Sequence, residues 1–325
     1  MVRSILQNKK NKMRQASLRA VFKLAKKDKK IVFIGSDLGP GILEEMKQKY
    51  PERFFMEGVT EQGTIGMAAG LALEGYKPFV NNIGTFLTRR CYEQIVVDLA
   101  MHNLPVRLLA NGAGYVYAPL GPTHLATDDI SIMRCIPNFM ILSPCDAIEM
   151  EKLVIETQKF KNPIYIRMGK GGDKIITNKN TKLNIGKARI IKKSKIATFA
   201  TTGVMAQIAI DASIILKRKY NLDVGVVHFH TIKPLDKKSL FKILKEVKYL
   251  VSVEENNLIG GFGSSILETC NNHKIREMNK IHRIGLPDKF PENYGSQIEL
   301  LKSQKINSEH LAKKMLLILK NNKKN

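Results

Sequence analysis

The carboxylic acid Glu61 lies at the start of a glycine-rich, apolar segment, and this combination could do acid–base chemistry. The residues that follow, GTIGMAAGLALEGYKP, predict a helix that is apolar on nearly all sides and therefore buried. A carboxylate is rarely buried without a partner or a task. Gly63, Gly66 and Gly70 each cost about 1 kcal/mol relative to alanine in a helix, so we expect close backbone approach to another element. The simpler interpretation is a first-turn glutamate that the helix dipole favours.

Further candidate side chains fall in predicted loops. Arg167 and Lys170, in YIRMGKGG, follow the carboxyl end of a predicted strand, which is the end where ligands bind in open α/β sheets. Two basic groups at this position could grip an anion, or could simply begin a linker. His124, in GPTH, could exchange protons near neutral pH, or could be an ordinary exposed loop histidine.

Short apolar runs alternate with longer amphipathic segments, which predicts an α/β fold with parallel sheets. Strand patterns are IVFIGSD, RFFME, PFVNN, VRLLAN, FMILSP and PIYIRM, and they predict a doubly wound domain over residues 1–169. The polar segment 170–185 predicts a linker, and a second doubly wound domain is predicted over residues 186–325. The double glycine Gly260–Gly261 precedes SSILE and predicts a tight turn that opens a helix, in preference to a phosphate-binding loop.

Charge and composition argue against several functional classes. The net charge of +24 comes from lysines spread along the whole chain without an RNA-binding motif, so we expect no specific nucleic-acid binding. The longest weakly polar run is too short to span a bilayer, and the basic N-terminus lacks the apolar core of a signal peptide. Four cysteines without metal-binding spacing fit reduced thiols. We therefore expect a cytoplasmic protein without membrane association.

Several segments resemble transketolases and deoxyxylulose-phosphate synthases. FMEGVTEQGTIGMAAGLALEGYKPFV, GTFLTRRCYEQIVVDLAMHNLPV and GPTHLATDDISIMRCIPNFMILSPCDAIE are similar to the pyrimidine-binding domain of this family. Downstream, ATFATTGVMAQIAIDA, HTIKPLD and VSVEENNLIGGFGSSILE are similar to its C-terminal domain. The resemblance implies that residues 1–169 form the pyrimidine-binding domain of a thiamine-diphosphate enzyme. Residues 186–325 would form a transketolase C-terminal-like domain.

The resemblance also implies a cofactor, thiamine diphosphate, that lies across a subunit interface. In this family a GDG motif and a later asparagine hold the diphosphate through Mg²⁺ or Ca²⁺, and this chain contains no GDG. We therefore expect no metal ligand in this chain. A partner, an N-terminal transketolase subunit with the GDG motif, would complete a heterotetramer of two copies of each. The implied activity is transfer of a two-carbon ketol unit from a ketose phosphate to an aldose.

Three positions match cofactor-binding residues of the family. Glu61 matches the catalytic glutamate that hydrogen-bonds the aminopyrimidine and favours the imino form of its amino group. Phe86 matches the aromatic residue that stacks on this ring. Arg89 lies three residues further, on the same helical face, where the synthases carry an arginine near cofactor and substrate. Its neighbour Arg90 could be a solvated surface charge.

Three other positions match residues that handle the substrate. His124 matches the active-site histidine, Arg167 matches an arginine that grips the sugar phosphate, and Lys170 replaces a second such arginine with a point charge. Two positions depart from the family. Leu120 replaces an aspartate that contacts a sugar hydroxyl in the family. Gly112 lies at or near the position where the family has a second histidine. These departures predict a sugar specificity that differs from the usual pentose and hexose phosphates.

Other functions are also compatible with the sequence. The beta subunit of a 2-oxoacid dehydrogenase first component has this length and architecture, although the EGVTEQ and GPTH blocks fit transketolase better. A deoxyxylulose-phosphate-synthase-like enzyme is a further alternative. From other classes, a non-catalytic interaction subunit conflicts with the presence of Glu61, Phe86 and His124, and a charge-driven nucleic-acid binder would lose its ligand at moderate salt.

Overall fold

Two mostly parallel β-sheets with flanking helices form the structure, a computed structural model that describes residues 12–36, 40–169 and 174–321. This confirms the predicted α/β class with two doubly wound domains. Lys170, which was predicted to bind substrate, lies outside the described residues. None of the described helices is long and apolar enough to cross a bilayer. The strands are β1 Ile31–Gly35, β2 Phe54–Met56, β3 Lys77–Ile83, β4 Arg107–Asn111, β5 Met140–Leu142, β6 Ile164–Met168, β7 Arg189–Lys192, β8 Ala197–Thr201, β9 Val224–His228, β10 Thr231–Lys233, β11 Tyr249–Asn257 and β12 Ile281–Leu286. The longer α-helices are α1 Met13–Ala25, α2 Glu44–Lys49, α3 Glu61–Leu73, α4 Asp129–Arg134, α5 Ala147–Glu156, α6 Met205–Tyr220, α7 Lys237–Glu246, α8 Phe262–Asn272, α9 Gln297–Ser303 and α10 Ser308–Asn321.

The first sheet has the strand order β10–β5–β6–β4–β3–β1–β2 in the described part of the chain. Neighbouring strands are parallel, except that β10 runs antiparallel to β5. Strands β1, β4 and β6 are buried along their whole length. Strands that are covered on both faces read as continuous apolar runs, which explains why the sequence predicts them.

The second sheet has the order β12–β11–β8–β9–β7, with β7 antiparallel to β9. Directly after β9, the short strand β10 leaves this sheet and pairs with β5 of the first, with Thr231 opposite Leu142. A three-residue strand has too little periodicity to be predicted from sequence. The second half of the chain therefore contributes an edge strand to the sheet of the first half.

Helix α3 is buried along one face only, so the predicted burial on all sides is wrong for this chain. Glu61 lies on the buried face, whereas Gly63, Gly66, Gly70 and Leu73 are exposed. Apart from the chain neighbours and the helix's own nearby backbone, no described atom lies within 4 Å of a Cβ added at any of the three glycines. The expected close backbone approach is therefore not made by the described residues. We call these three glycines and Leu73 the glycine face.

A buried polar cluster joins the two halves of the chain. Glu149 on α5 is hydrogen-bonded to Nε2 of His228 on β9 (2.9 Å) and accepts the backbone N–H of Cys145 (2.7 Å). Nε of Arg189 lies 3.5 Å from Glu149 Oε1, and its Nη2 lies 3.2 Å from Cys145 Sγ. Burial raises the pKa of the Cys145 thiol well above its usual value. Cys, Glu and His are metal-ligand types, but Arg189 already supplies a cation to the carboxylate, which indicates a structural role.

Candidate active site

Glu61 is the first residue of α3, and its side chain is only 5% exposed. The carboxylate is held at the positive end of the helix dipole, where negative charge is favoured. Its charged partner is Arg90, whose Nη1 donates to Oε1 at 3.3 Å and to Oε2 at 3.2 Å. The carboxylate is therefore buried and paired with a cation, and its catalytic role stays a prediction.

Arg90 also stacks on an aromatic ring. Its guanidinium carbon lies 3.7 Å from the centre of the Phe86 ring, within the range of a cation–π contact. Phe86–Arg90 is a π-helical segment, with a wider turn than an α-helix. Helical spacing places both Arg89 (i,i+3) and Arg90 (i,i+4) near Phe86, so the sequence alone does not show which of the two contacts the ring. Arg90 is 47% exposed, as expected for a surface charge, but it also forms an ion pair with Glu61 and stacks on Phe86.

Arg89 points to a different part of the structure. It forms a two-pronged ion pair with Asp128, Nε to Oδ2 at 3.0 Å and Nη2 to Oδ1 at 2.9 Å, and it donates to the carbonyl of Leu125. The pair borders a cavity of about 300 Å³ between the two halves of the chain, which Tyr115 and Phe290 also line. Its cofactor-binding role stays a prediction.

His124 contacts the same aromatic ring as Arg90. The imidazole meets the Phe86 ring edge-on, with centres 5.1 Å apart, and its Nδ1 is hydrogen-bonded to Thr123 Oγ1 at 2.9 Å. The short helix Pro122–His124, which follows Gly121 with φ +77°, places it there. The structure thus brings Glu61, Phe86 and His124 into one chain of contacts through Arg90.

A cavity of about 390 Å³ opens next to this constellation. It is lined by Val59, Thr60, Glu61, Gln62, Gly63 and Arg90. Nearby, burial and then the negative charge of Glu61 raise the pKa of the Cys91 thiol to about 12. Cys91 is therefore a neutral thiol and a poor nucleophile. The catalytic roles of Glu61 and His124 stay predictions.

Arg167 is part of the protein interior, with 3% of its side chain exposed. Its Nε lies 2.7 Å from Oδ2 of Asp129, which is itself inaccessible to solvent. Nη2 donates to the carbonyls of Ala126 and Glu255, which belong to different halves of the chain. These contacts connect the two halves, and the predicted role of Arg167 in substrate binding stays a prediction.

The two departures from the family have different structural consequences. Gly112 has φ +91°, and a Cβ added there would lie 2.2 Å from the ring of Tyr117. A histidine therefore does not fit at residue 112, because Tyr117 fills that space. Leu120 is about half exposed, so it offers an apolar group to whatever approaches this loop.

The double glycine opens helix α8, as predicted, and a carboxylate already occupies the helix end. Gly260 has φ +70°, and Oε1 and Oε2 of Glu254 accept the backbone N–H groups of Gly263 (2.8 Å) and Phe262 (2.6 Å). Burial raises the pKa of Glu254 to about 7. The amides that could have bound a phosphate are therefore used within the protein.

Two family descriptions match the chain, in the order expected from the two sheets. "Transketolase, pyrimidine binding domain" matches residues 9–172, and "Transketolase, C-terminal domain" matches residues 186–311. The chain belongs to the transketolase family. The Glu61–Phe86 constellation accordingly lies in the pyrimidine-binding domain of a transketolase-family protein.

Curated relatives of this transketolase-family chain include 1-deoxy-D-xylulose-5-phosphate synthases. The chain is 38% identical over 298 residues to the one from Caldanaerobacter subterraneus and 36% identical over 271 residues to the one from Halothermothrix orenii. These alignments cover 90% and 82% of this chain, but 46% and 42% of the synthases. The chain therefore spans just under half the length of these relatives.

Solved structures give the same fold. A structure described as "split gene transketolase, inactive beta4 tetramer" is 26% identical with a TM-score of 0.85, and the match covers 95% of this chain and 98% of that one. A transketolase from Pichia stipitis in complex with sedoheptulose 7-phosphate has a TM-score of 0.75 over 97% of this chain and 46% of that one. At 18% identity the second match shows the fold alone.

The residues at the site fit the aminopyrimidine of thiamine diphosphate, the cofactor that the family implies. A flat, nitrogen-bearing ring needs an aromatic face to stack on and a carboxylate to hydrogen-bond, and Phe86 and Glu61 supply these groups next to an open cavity. In this structure the flat guanidinium of Arg90 makes both contacts: it donates to the Glu61 carboxylate and stacks on the Phe86 ring. We call the Glu61 carboxylate and the Phe86 ring the pyrimidine seat.

Proposed function

We propose that this chain is the pyrimidine-binding and C-terminal subunit of a split transketolase. The complex would transfer a two-carbon ketol unit from a ketose phosphate to an aldose. The observation that carries the proposal is the pyrimidine seat. The buried carboxylate of Glu61 lies at a helix start, and the guanidinium of Arg90 contacts both this carboxylate and the ring of Phe86. The alternative of a non-catalytic interaction subunit does not account for a buried carboxylate beside an open cavity.

The two residues of the seat and His124 each have a defined task in this proposal. When bound, thiamine diphosphate supplies the carbanion chemistry, and the protein supplies position and electrostatics. Glu61 would hydrogen-bond a ring nitrogen of the bound cofactor and hold the proton at that atom. Phe86 fixes the ring plane by stacking. His124, held edge-on against Phe86, donates to or accepts from substrate hydroxyls.

A second polypeptide with the GDG motif would hold the metal and the diphosphate. These 325 residues contain no GDG, and the solved split-gene transketolase chain that matches this one is described as an inactive beta4 tetramer. The glycine face, next to the seat and exposed in this chain, offers a flat surface for the partner. We propose a cytoplasmic heterotetramer, two copies of each chain, with Mg²⁺ or Ca²⁺ held mainly by the partner.

The sugar specificity would differ from that of ordinary transketolases. Tyr117 fills the space above Gly112, and Leu120 presents an apolar side chain where the family has an aspartate. Both changes remove hydrogen-bonding groups from the loop that carries His124. A site with fewer polar groups discriminates less strongly against a sugar that lacks a hydroxyl. We therefore propose a deoxy or otherwise substituted sugar as substrate.

A second candidate function is favoured by the curated relatives. Their 38% and 36% identity to this chain supports an activity like that of 1-deoxy-D-xylulose-5-phosphate synthase. Such an enzyme, like the 2-oxoacid dehydrogenase alternative, would begin by decarboxylating a 2-oxoacid. Release of CO₂ separates both alternatives from ketol transfer, which releases none.

The decisive experiment is reconstitution. The chain is mixed with a GDG-bearing transketolase polypeptide, thiamine diphosphate and Mg²⁺. The mixture is then assayed with a panel of ketose phosphate donors and with pyruvate, in each case with aldose acceptors. Ketol transfer by the mixture, and by neither chain alone, is the expected result. CO₂ release from pyruvate without ketol transfer would favour the synthase-like or dehydrogenase-like function. No activity in any assay, despite a stable complex, would favour the interaction subunit.

A further inference from the structure

We propose that Arg90 fills the pyrimidine seat of the unassembled chain and must leave the seat before a cofactor ring can bind. This inference rests on the proposed function, because it takes Glu61 and Phe86 as the seat. Arg90 Nη1 donates to both carboxylate oxygens of Glu61, and its guanidinium carbon lies 3.7 Å from the centre of the Phe86 ring. One side chain of the protein therefore makes both contacts that the proposal gives to the aminopyrimidine.

The two occupants exclude each other for steric reasons. A separation of 3.7 Å between the guanidinium and the ring is van der Waals contact, so no second flat group fits between Arg90 and Phe86. His124 lies against the same Phe86 ring with edge-on geometry, which further limits access to it. A ring that stacks on Phe86 and hydrogen-bonds Glu61 must therefore take the position of the guanidinium.

Arg90 can leave without unfolding the site. Its side chain is 47% exposed and borders the open cavity of about 390 Å³. Its backbone is held separately, because Gln62 Nε2 donates to the carbonyl of Arg90 at 2.9 Å. Rotation of the side chain alone would clear the seat and leave the π-helical segment in place.

The resident guanidinium should weaken cofactor binding by a measurable factor. A half-exposed ion pair and an exposed cation–π contact are each modest interactions. Together they correspond to about a 5- to 30-fold preference for the filled seat. The apparent affinity of a ligand falls in proportion to the fraction of molecules whose seat is open. In the assembled complex, a partner that draws Arg90 away would remove this penalty.

The test uses the full isolated chain, with thiamine as the probe because it carries the aminopyrimidine ring. Arg90→Met removes the donors and the charge but keeps an apolar stem of similar length. Arg218→Met, on the exposed end of α6, is the matched control for the loss of one positive charge. Calorimetry should give a dissociation constant about 5- to 30-fold lower for Arg90→Met than for wild type. The control should bind thiamine as the wild type does.

Three outcomes separate the two proposals. Thiamine binding by Arg90→Met that is equal to wild type, weaker, or absent overturns the role of Arg90. If Arg90→Met binds tighter and the added substitution Glu61→Gln abolishes the gain, both the seat and its occupant are supported. If Arg90→Met binds tighter but Glu61→Gln has no effect in that background, Arg90 blocks a site other than the Glu61 seat. That result contradicts this inference and removes the central support of the proposed function.

Discussion

Arg167 and Asp129 form an ion pair that is almost completely buried, with Nε and Oδ2 2.7 Å apart. Because the same guanidinium donates to carbonyls in both halves of the chain, the pair holds the halves together. Breaking a buried pair by removing one partner costs about 3–5 kcal/mol. Arg167→Met should therefore lower the free energy of unfolding by about that amount, measured by urea denaturation of the isolated chain.

Arg89→Met is the matched control for this substitution. Arg89 and Asp128 form a similar pair, but both side chains are about one third exposed, so its loss should cost less than about 1 kcal/mol. Equal stabilities for Arg167→Met and wild type, with a raised KM for a phosphorylated sugar in the reconstituted enzyme, would contradict the structural role. That result would support the role in substrate binding predicted from the sequence.

His230 and Glu254 should oppose each other in the pH dependence of stability. Burial lowers the pKa of His230 from 6.5 to about 4, so the unfolded chain binds the extra proton and stability falls as pH drops from 6.5 to 4. Burial raises the pKa of Glu254 from 4.5 to about 7, so the folded chain binds the proton and stability falls as pH rises from 4.5 to 7. Between pH 4.5 and 6.5 the contributions of these two groups should therefore largely cancel.

Single substitutions should expose the two opposite slopes. The His230→Asn variant should lose stability as pH rises through this window. The Glu254→Gln variant should lose stability as pH falls through it. The measurement is the free energy of unfolding in urea at a series of pH values, and the slope matters more than the absolute value. Parallel profiles for the two variants would show that these groups do not titrate as their burial predicts.

Substitutions on the glycine face should have opposite effects on the stability of the isolated chain and on its assembly with the partner. Gly66 has helical backbone and open space around it, so Gly66→Ala should stabilise the isolated chain by up to about 1 kcal/mol. Gly66→Leu should instead weaken association with the GDG-bearing partner, because a larger side chain holds the two surfaces apart. Sedimentation analysis of the mixture, with Arg218→Leu as the exposed control, checks this. Normal assembly of Gly66→Leu would place the partner elsewhere.

Much of the fold could be predicted because its signals are local. Buried strands such as β1, β4 and β6 are continuous apolar runs, and helices such as α6 have a clear amphipathic period. Strand β10 could not be predicted, because its pairing with β5 is a contact across about 90 residues of chain, which leaves no local pattern. Helix α1 escaped prediction for another reason: arginine, lysine, glutamine and serine interrupt its apolar residues, although most of its buried residues are apolar.

The candidate site was predicted in composition but not in geometry. The sequence identified Glu61, Phe86 and His124, and the structure brings them together. It favoured Arg89 over Arg90 because the synthases carry an arginine at that position, whereas helical spacing places both arginines near Phe86. The π-helical turn over this segment has no simple sequence signal. The exposure of the glycine face also escaped prediction, because an apolar sequence does not show whether every face of a helix is covered by its own chain.

The central claim, that Glu61 activates a bound thiamine diphosphate, is tested most directly by one rate. In the complex reconstituted with the GDG-bearing partner, exchange of the thiazolium C2 proton for deuterium is followed by quenched-flow NMR. Glu61→Gln should slow this exchange by about 10²- to 10⁴-fold, the usual contribution of a positioned acid–base group, while the cofactor still binds. Exchange at the wild-type rate in Glu61→Gln, with the cofactor fully bound, would contradict the account.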